Sequence, residues 1–119
     1  MQADVRDPEL EARVQELIDP GRTVTVIEDG GHTHDTTLSA LRALSPLVPQ
    51  GGWFVVEDTC VDVEALRAGP DWPRGAGLAL TEWLEHDEDG RRFERRLDTE
   101  RYGITCHPGG FLRRHTAFG

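Results

Sequence analysis

No stretch of this sequence approaches the roughly 20 consecutive apolar residues that span a bilayer. The opening segment, Met1 to Leu10, carries acids at Asp4 and Asp7 and lacks the apolar core of a signal peptide, so the cytoplasm is the expected compartment. Cysteine is scarce. Cys60 and Cys106 have no CxxC spacing and no metal-ligand pattern with histidine, which excludes a disulfide scaffold and leaves two buried or idle thiols. Positive charge is short as well: 13 Lys+Arg stand against 22 Asp+Glu, a net charge of -9. Such a chain repels phosphate backbones, so nucleic acid is excluded as a direct partner unless a cation mediates. Internal repeats and low-complexity tracts are absent. The length of 119 residues allows one domain at most, burying about two-thirds of its unfolded surface.

What is present is an excess of acid, which suits cation binding even though most of the carboxylates belong to a solvated surface. Asp7-Pro8 predicts a helix start, and Leu10, Val14, Leu17 and Ile18 supply one apolar stripe after it. Asp19-Pro20-Gly21 ends that helix. Val24 to Ile27 is a β-branched run of the kind buried on both faces of a sheet, and it stops at Glu28-Asp29-Gly30-Gly31. A helix over 36–44 follows, capped by Asp35 or Thr36, with Leu38, Leu41 and Leu44 on one side. Trp53 to Val56 predicts a second buried strand, again ending in acids at Glu57-Asp58. Strand, helix and strand with short links make a parallel, right-handed βαβ unit. Residues 59–74 read as a long loop or short helix, and 75–86 as a third helix. Tyr102 to Cys106 and Phe111 to Arg114 read as the arms of a closing hairpin. The expected fold class is α/β.

Ligands of open parallel sheets bind beyond the carboxyl ends of the strands. Both predicted strands end there in carboxylates, Asp29 after the first and Glu57 with Asp58 after the second. Adjacent strands lie about 4.8 Å apart, so these acids can converge on one cation such as Mg²⁺ or Mn²⁺. Strand-end acids also serve simply to cap the helices that follow. His32, three residues past Asp29, is placed to take a proton from a metal-held hydroxyl, since an ordinary histidine titrates at about 6.5. Its alternative is a helix-capping or solvent-exposed histidine. His34, His86, His107 and His115 have no comparable setting and are expected at the surface. His32-Thr33-His34 also has the His-x-His form of zinc hydrolases, but no later histidine ends a predicted strand to complete such a site.

Asp29-Gly30-Gly31-His32, the leucine-rich helix, Gly51-Gly52 and Val55-Val56-Glu57-Asp58-Thr59 together resemble the rhamnosyl O-methyltransferase/cephalosporin hydroxylase family. The tail, Tyr102-Gly103-Ile104-Thr105 and Pro108 to Arg114, is similar to the closing segment of that family. The resemblance runs from Asp7 onward. It implies a Rossmann-like class I methyltransferase sheet that uses S-adenosylmethionine and a divalent metal to methylate a hydroxyl of a sugar or other small molecule. It further implies Asp29, Glu57 and Asp58 as metal ligands, His32 as general base, and Asp4 near the adenine of the cofactor. One departure stands out: no Gly-x-Gly turn follows a strand. The expectation is therefore the C-terminal half of the fold, without the N-terminal βαβ half that holds the methionine and ribose of the cofactor. That half would come from a longer protein or a partner, or the chain would form homo-oligomers. The rival reading is a truncated, non-catalytic α/β module that pairs with a partner chain.

Overall fold

The computed structural model describes residues 1–115 as a mixed α/β arrangement built on an open sheet of four strands. In chain order the main elements are α1 (Leu10–Leu17), β1 (Val26–Glu28), α2 (His34–Leu44), β2 (Trp53–Val56), α3 (Ala76–His86), β3 (Phe93–Arg95) and β4 (Phe111–Arg114). The strand order is β1-β2-β4-β3. β1 and β2 are parallel, with Ile27 opposite Val55 and Glu28 opposite Val56, and α2 forms the crossover between them. That is the expected βαβ unit. β4 then pairs antiparallel with both β2 and β3, closing the sheet.

The core lies between the sheet and the two longer helices. Phe54, Val56 and Leu112 point from one face into Leu41 of α2 and Ala76, Leu80 and Trp83 of α3. Trp83 meets Phe93 with ring centroids 5.4 Å apart. Removing the Leu112 side chain from this packing has a cost of about 2–5 kcal/mol by the usual cavity argument. The opposite face of the sheet is open among the described residues: Ile27 is 61% exposed and Trp53 and Val55 are half-buried. Burial on β1 and β2 therefore alternates, and neither strand is enclosed on both faces as their β-branched runs predict. β-branched residues suit any pleated surface, so composition alone does not fix how many faces are covered.

Three further expectations change. The hairpin is made by β3 and β4, and residues 102–106 form no strand; Tyr102 and Ile104 are 85% and 88% exposed. Phe93 reveals the true arm, being the strand residue that reaches the core beside Trp83. The cap of α2 is Thr33, whose Oγ1 accepts from Thr36 N–H at 3.2 Å, in place of Asp35 or Thr36. In α1 only Leu10 of the apolar stripe is buried, and Leu17 is exposed. No helix among the described residues is long and apolar enough to cross a membrane.

Candidate metal-binding and catalytic site

The parallel pairing of β1 and β2 delivers Asp29, Glu57 and Asp58 to one edge of the sheet. Glu57 N–H donates to the Glu28 carbonyl at 3.0 Å, so the backbones remain joined where the acids begin. Just beyond β1, the buried Glu28 turns its Oε1 back to accept from Gly30 N–H at 2.9 Å. This bond shapes the loop that carries His32. His32 in turn is clamped by α3: its carbonyl accepts from Ala76 N–H at 3.1 Å, and Thr33 bridges to Gly75. A Cβ at Gly75 would lie 2.2 Å from the His32 carbonyl oxygen, so this junction requires glycine. The start of α3 is held from outside the helix, by the Asp62 carboxylate, which accepts from Gly75 and Leu78 N–H at 2.7 Å each.

These supports bring one ligand atom each of Asp29, His32 and Asp58 within 4.8 Å of one another. His32 Nε2 stands 3.1 Å from Asp58 Oδ2 and 3.6 Å from Asp29 Oδ1. His32 Nδ1 is buried and has no hydrogen-bond partner. Glu57 borders the cluster: desolvation, a hydrogen bond that its protonated form donates to the Asp29 carboxylate, and repulsion by Asp29 and then Asp58 push its pKa above the ordinary glutamate value, against a smaller pull from His107. Asp4 is elsewhere engaged. Its carboxylate makes a two-pronged ion pair with Arg6, at 3.0 and 2.8 Å, which holds its pKa down to about 2. A cofactor adenine meeting Asp4 would have to share it with that guanidinium.

His107, expected at the surface, belongs to this site. Its Nδ1 accepts from Asp58 N–H at 2.7 Å, which places its proton on Nε2 when the ring is neutral. The segment around it clasps the end of β2. Thr59 Oγ1 donates to the Pro108 carbonyl at 2.8 Å, Cys60 N–H to the Cys106 carbonyl at 3.2 Å, and Val56 N–H to the Gly110 carbonyl at 2.8 Å. A Cβ at Gly110 would lie 2.2 Å from the Val56 carbonyl oxygen. His34 also has a partner, Glu82 Oε2 at 2.6 Å, which ties the start of α2 to α3. The cysteines are both free, but Cys106 is exposed and only Cys60 is partly buried.

The family model for rhamnosyl O-methyltransferase/CmcI matches residues 1–115. Rhamnosyl O-methyltransferases of Mycobacterium tuberculosis (strain ATCC 25618 / H37Rv) and Mycobacterium bovis (strain ATCC BAA-935 / AF2122/97) are each 31% identical over 114 residues. That alignment takes in 92% of this chain and 44% of the relatives, so the chain spans less than half their length. Among solved structures, the MycE methyltransferase from the mycinamycin biosynthetic pathway, in complex with Mg, SAH and mycinamycin VI, superposes with a TM-score of 0.60 at 24% identity. The match covers 97% of this chain and 31% of that one. A second MycE structure, with Mg and SAH, gives 0.56 at 23% identity over 100% of this chain and 33% of its own. At this identity the superposition establishes the fold.

Proposed function

The chain belongs to the rhamnosyl O-methyltransferase/CmcI family, and on that premise we propose that it forms the metal- and acceptor-binding part of an S-adenosylmethionine-dependent O-methyltransferase acting on a sugar or other small-molecule hydroxyl. The observation that carries this reading is the convergence of Asp29, His32 and Asp58 within 4.8 Å at the strand ends. His32 Nε2 stands 3.1 and 3.6 Å from the carboxylates of Asp58 and Asp29, near enough to meet a hydroxyl that a cation between those carboxylates would hold. The pKa of Glu57 is raised by desolvation first and then by the neighbouring Asp29 and Asp58, and a cation among these carboxylates would offset the repulsive part. An oxygen-rich donor set suits Mg²⁺ or Mn²⁺ better than thiolate-seeking ions. The MycE structures hold Mg and SAH, in keeping with this pairing.

Asp29, Glu57 and Asp58 are assigned as the cation ligands. When bound, the cation would supply Lewis-acid activation of the acceptor hydroxyl, and S-adenosylmethionine would supply the methyl group. His32 takes the hydroxyl proton at Nε2, having its ring fixed by the loop that Glu28 and Ala76 hold. His107 fixes the backbone of Asp58 and so the direction of its carboxylate. Titration of Mn²⁺ into the chain tests the assignment. Asp58→Asn is expected to weaken the cation by roughly tenfold or more, and His32→Ala to leave most of the affinity in place. A wild-type chain with no cation-dependent signal, or an unaffected Asp58→Asn, would overturn the metal assignment.

A second reading, a non-catalytic module that pairs with a partner chain, draws on the open sheet face and the exposed Ile27. Equilibrium dialysis with S-adenosylmethionine separates the two. Saturable binding by the chain alone supports the enzyme reading.

A further inference from the structure

A cavity of about 470 Å³ opens beside the cluster, and His32 belongs to both. Its volume falls within the range of small-molecule sites. A second hollow of about 370 Å³, lined in part by Asp62 and Arg95, includes no residue of the cluster. In the larger cavity the wall divides by chemistry. Val61, Trp72 and Pro73 are apolar, whereas His34 and Asp35 are polar.

Trp72 is the unusual member of this wall. The residue is 61% exposed, although Trp83 shows that this chain buries a tryptophan completely where packing allows. The Trp72 backbone is held in place by named bonds. Its N–H donates to the Gly69 carbonyl at 3.1 Å, and its carbonyl receives the guanidinium of Arg67, a side chain only 11% exposed. Two residues on, Arg74 donates to the Asp62 carbonyl at 3.1 Å and to Glu64 Oε2 at 2.9 Å. The loop is thus fastened on both sides of an aromatic ring left facing water at the mouth of a cavity. A flat apolar wall joined to a polar rim fits a pyranose, which has a face of C–H bonds and an edge of hydroxyls.

We propose that Trp72 is the platform on which the acceptor's sugar ring stacks by its C–H face, holding one ring hydroxyl toward His32. This rests on the reading of the site as an O-acceptor site. Trp72 contributes to binding and positioning, while the proton transfer belongs to His32.

The test uses methyl α-L-rhamnopyranoside as the probe, added to the full chain and followed by saturation-transfer NMR and by fluorescence in a Trp53→Phe background. Expected results are saturation concentrated on the C–H protons of one ring face, roughly fivefold weaker binding in Trp72→Ala, and affinity largely restored in Trp72→Phe. Unfolding curves verify that the variants fold. Unchanged binding in Trp72→Ala overturns the platform. So does an equal loss in Trp72→Phe, which would assign the contact to the indole N–H. Absence of sugar binding in a wild-type chain that still binds Mn²⁺ overturns the platform and leaves the metal assignment standing. Sugar binding that depends on Trp72 in a chain indifferent to Mn²⁺ supports the platform and removes the metal.

Discussion

His32 Nε2 lies 3.1 Å from Asp58 Oδ2, and these two residues also share a backbone conformation, with φ of +53° and +55°. Among the described residues no other non-glycine position has positive φ. Left-handed backbone disfavours an L residue by about 1 kcal/mol or more, and such strain persists only where the surroundings over-determine it. Here they do: Ala76 N–H holds the His32 carbonyl and His107 holds the Asp58 N–H. His32→Gly is therefore expected to raise stability by about 1 kcal/mol in urea unfolding, while removing the proposed base. His32→Ala keeps the Cβ and should show no such gain. Equal stabilities for the two variants would mean that the strain is absorbed elsewhere.

The bond from Asp58 N–H to His107 Nδ1 gives a second expectation. His107→Ala leaves a partly buried N–H without its acceptor, at a cost of about 1 kcal/mol, and loosens the carboxylate that the same residue carries. Mn²⁺ affinity should fall along with stability. Asparagine can offer its Oδ1 where Nδ1 stood, so His107→Asn should recover most of both. If His107→Asn behaves as His107→Ala, the ring matters for its packing against Phe111, whose centroid is 6.0 Å away, more than for the bond.

Glu57 supplies a pH dependence. Its folded pKa is raised by desolvation first and then by Asp29 and Asp58, so the native state holds its proton more tightly than the unfolded chain does. Stability from this group falls as pH rises above the ordinary glutamate value, and the deficit is complete above the folded pKa. Asp29→Asn removes one of the repelling charges. Without cations, that variant should melt higher than wild type at neutral pH, with the gap closing toward about pH 3, where Glu57 is protonated in both. Added Mg²⁺ should reverse the order, because only the wild type keeps the proposed ligand set. A melting difference that does not vary with pH would show that Asp29 acts on stability by another route.

Legibility in the sequence followed the physics of each part. The βαβ core was readable because Val26-Ile27 and Trp53 to Val56 are apolar runs separated by a leucine-bearing helix, and because acids stand where such strands end. Leu41, Phe54 and Val56 are buried as their spacing predicts. β3 was not readable: Phe93-Glu94-Arg95 offers one apolar residue, and its strand state depends on pairing with β4 far along the chain. Tyr102 and Ile104 had the better β propensity and lie in solvent. His107 was missed because its role comes from tertiary placement. The available signal was topological, since residues just before a strand antiparallel to β2 must sit near the carboxyl end of β2.

The edge of the sheet leads to the last expectation. β1 ends the strand order, pairs on one side with β2, and displays Ile27 at 61% exposure. Natural edge strands are usually guarded by lysine, proline or a bulge, because an open row of N–H and C=O groups invites another chain. Val26-Ile27-Glu28 has neither lysine nor proline. Beside it the open face continues through the half-buried Val55 and Trp53, the latter flanked by Arg96 and Arg113 at 5.8 and 5.7 Å from its ring centre. Burying an isoleucine side chain from each partner contributes about 1.5–3 kcal/mol apiece, and main-chain pairing along the open edge adds to it. The 119-residue chain should therefore sediment as a larger species as its concentration rises. Ile27→Lys, which places a charge on the edge without touching the core face, should remain a monomer with near wild-type unfolding. A wild-type chain that stays monomeric across the series would mean that β1 is closed to pairing by its short length and twist.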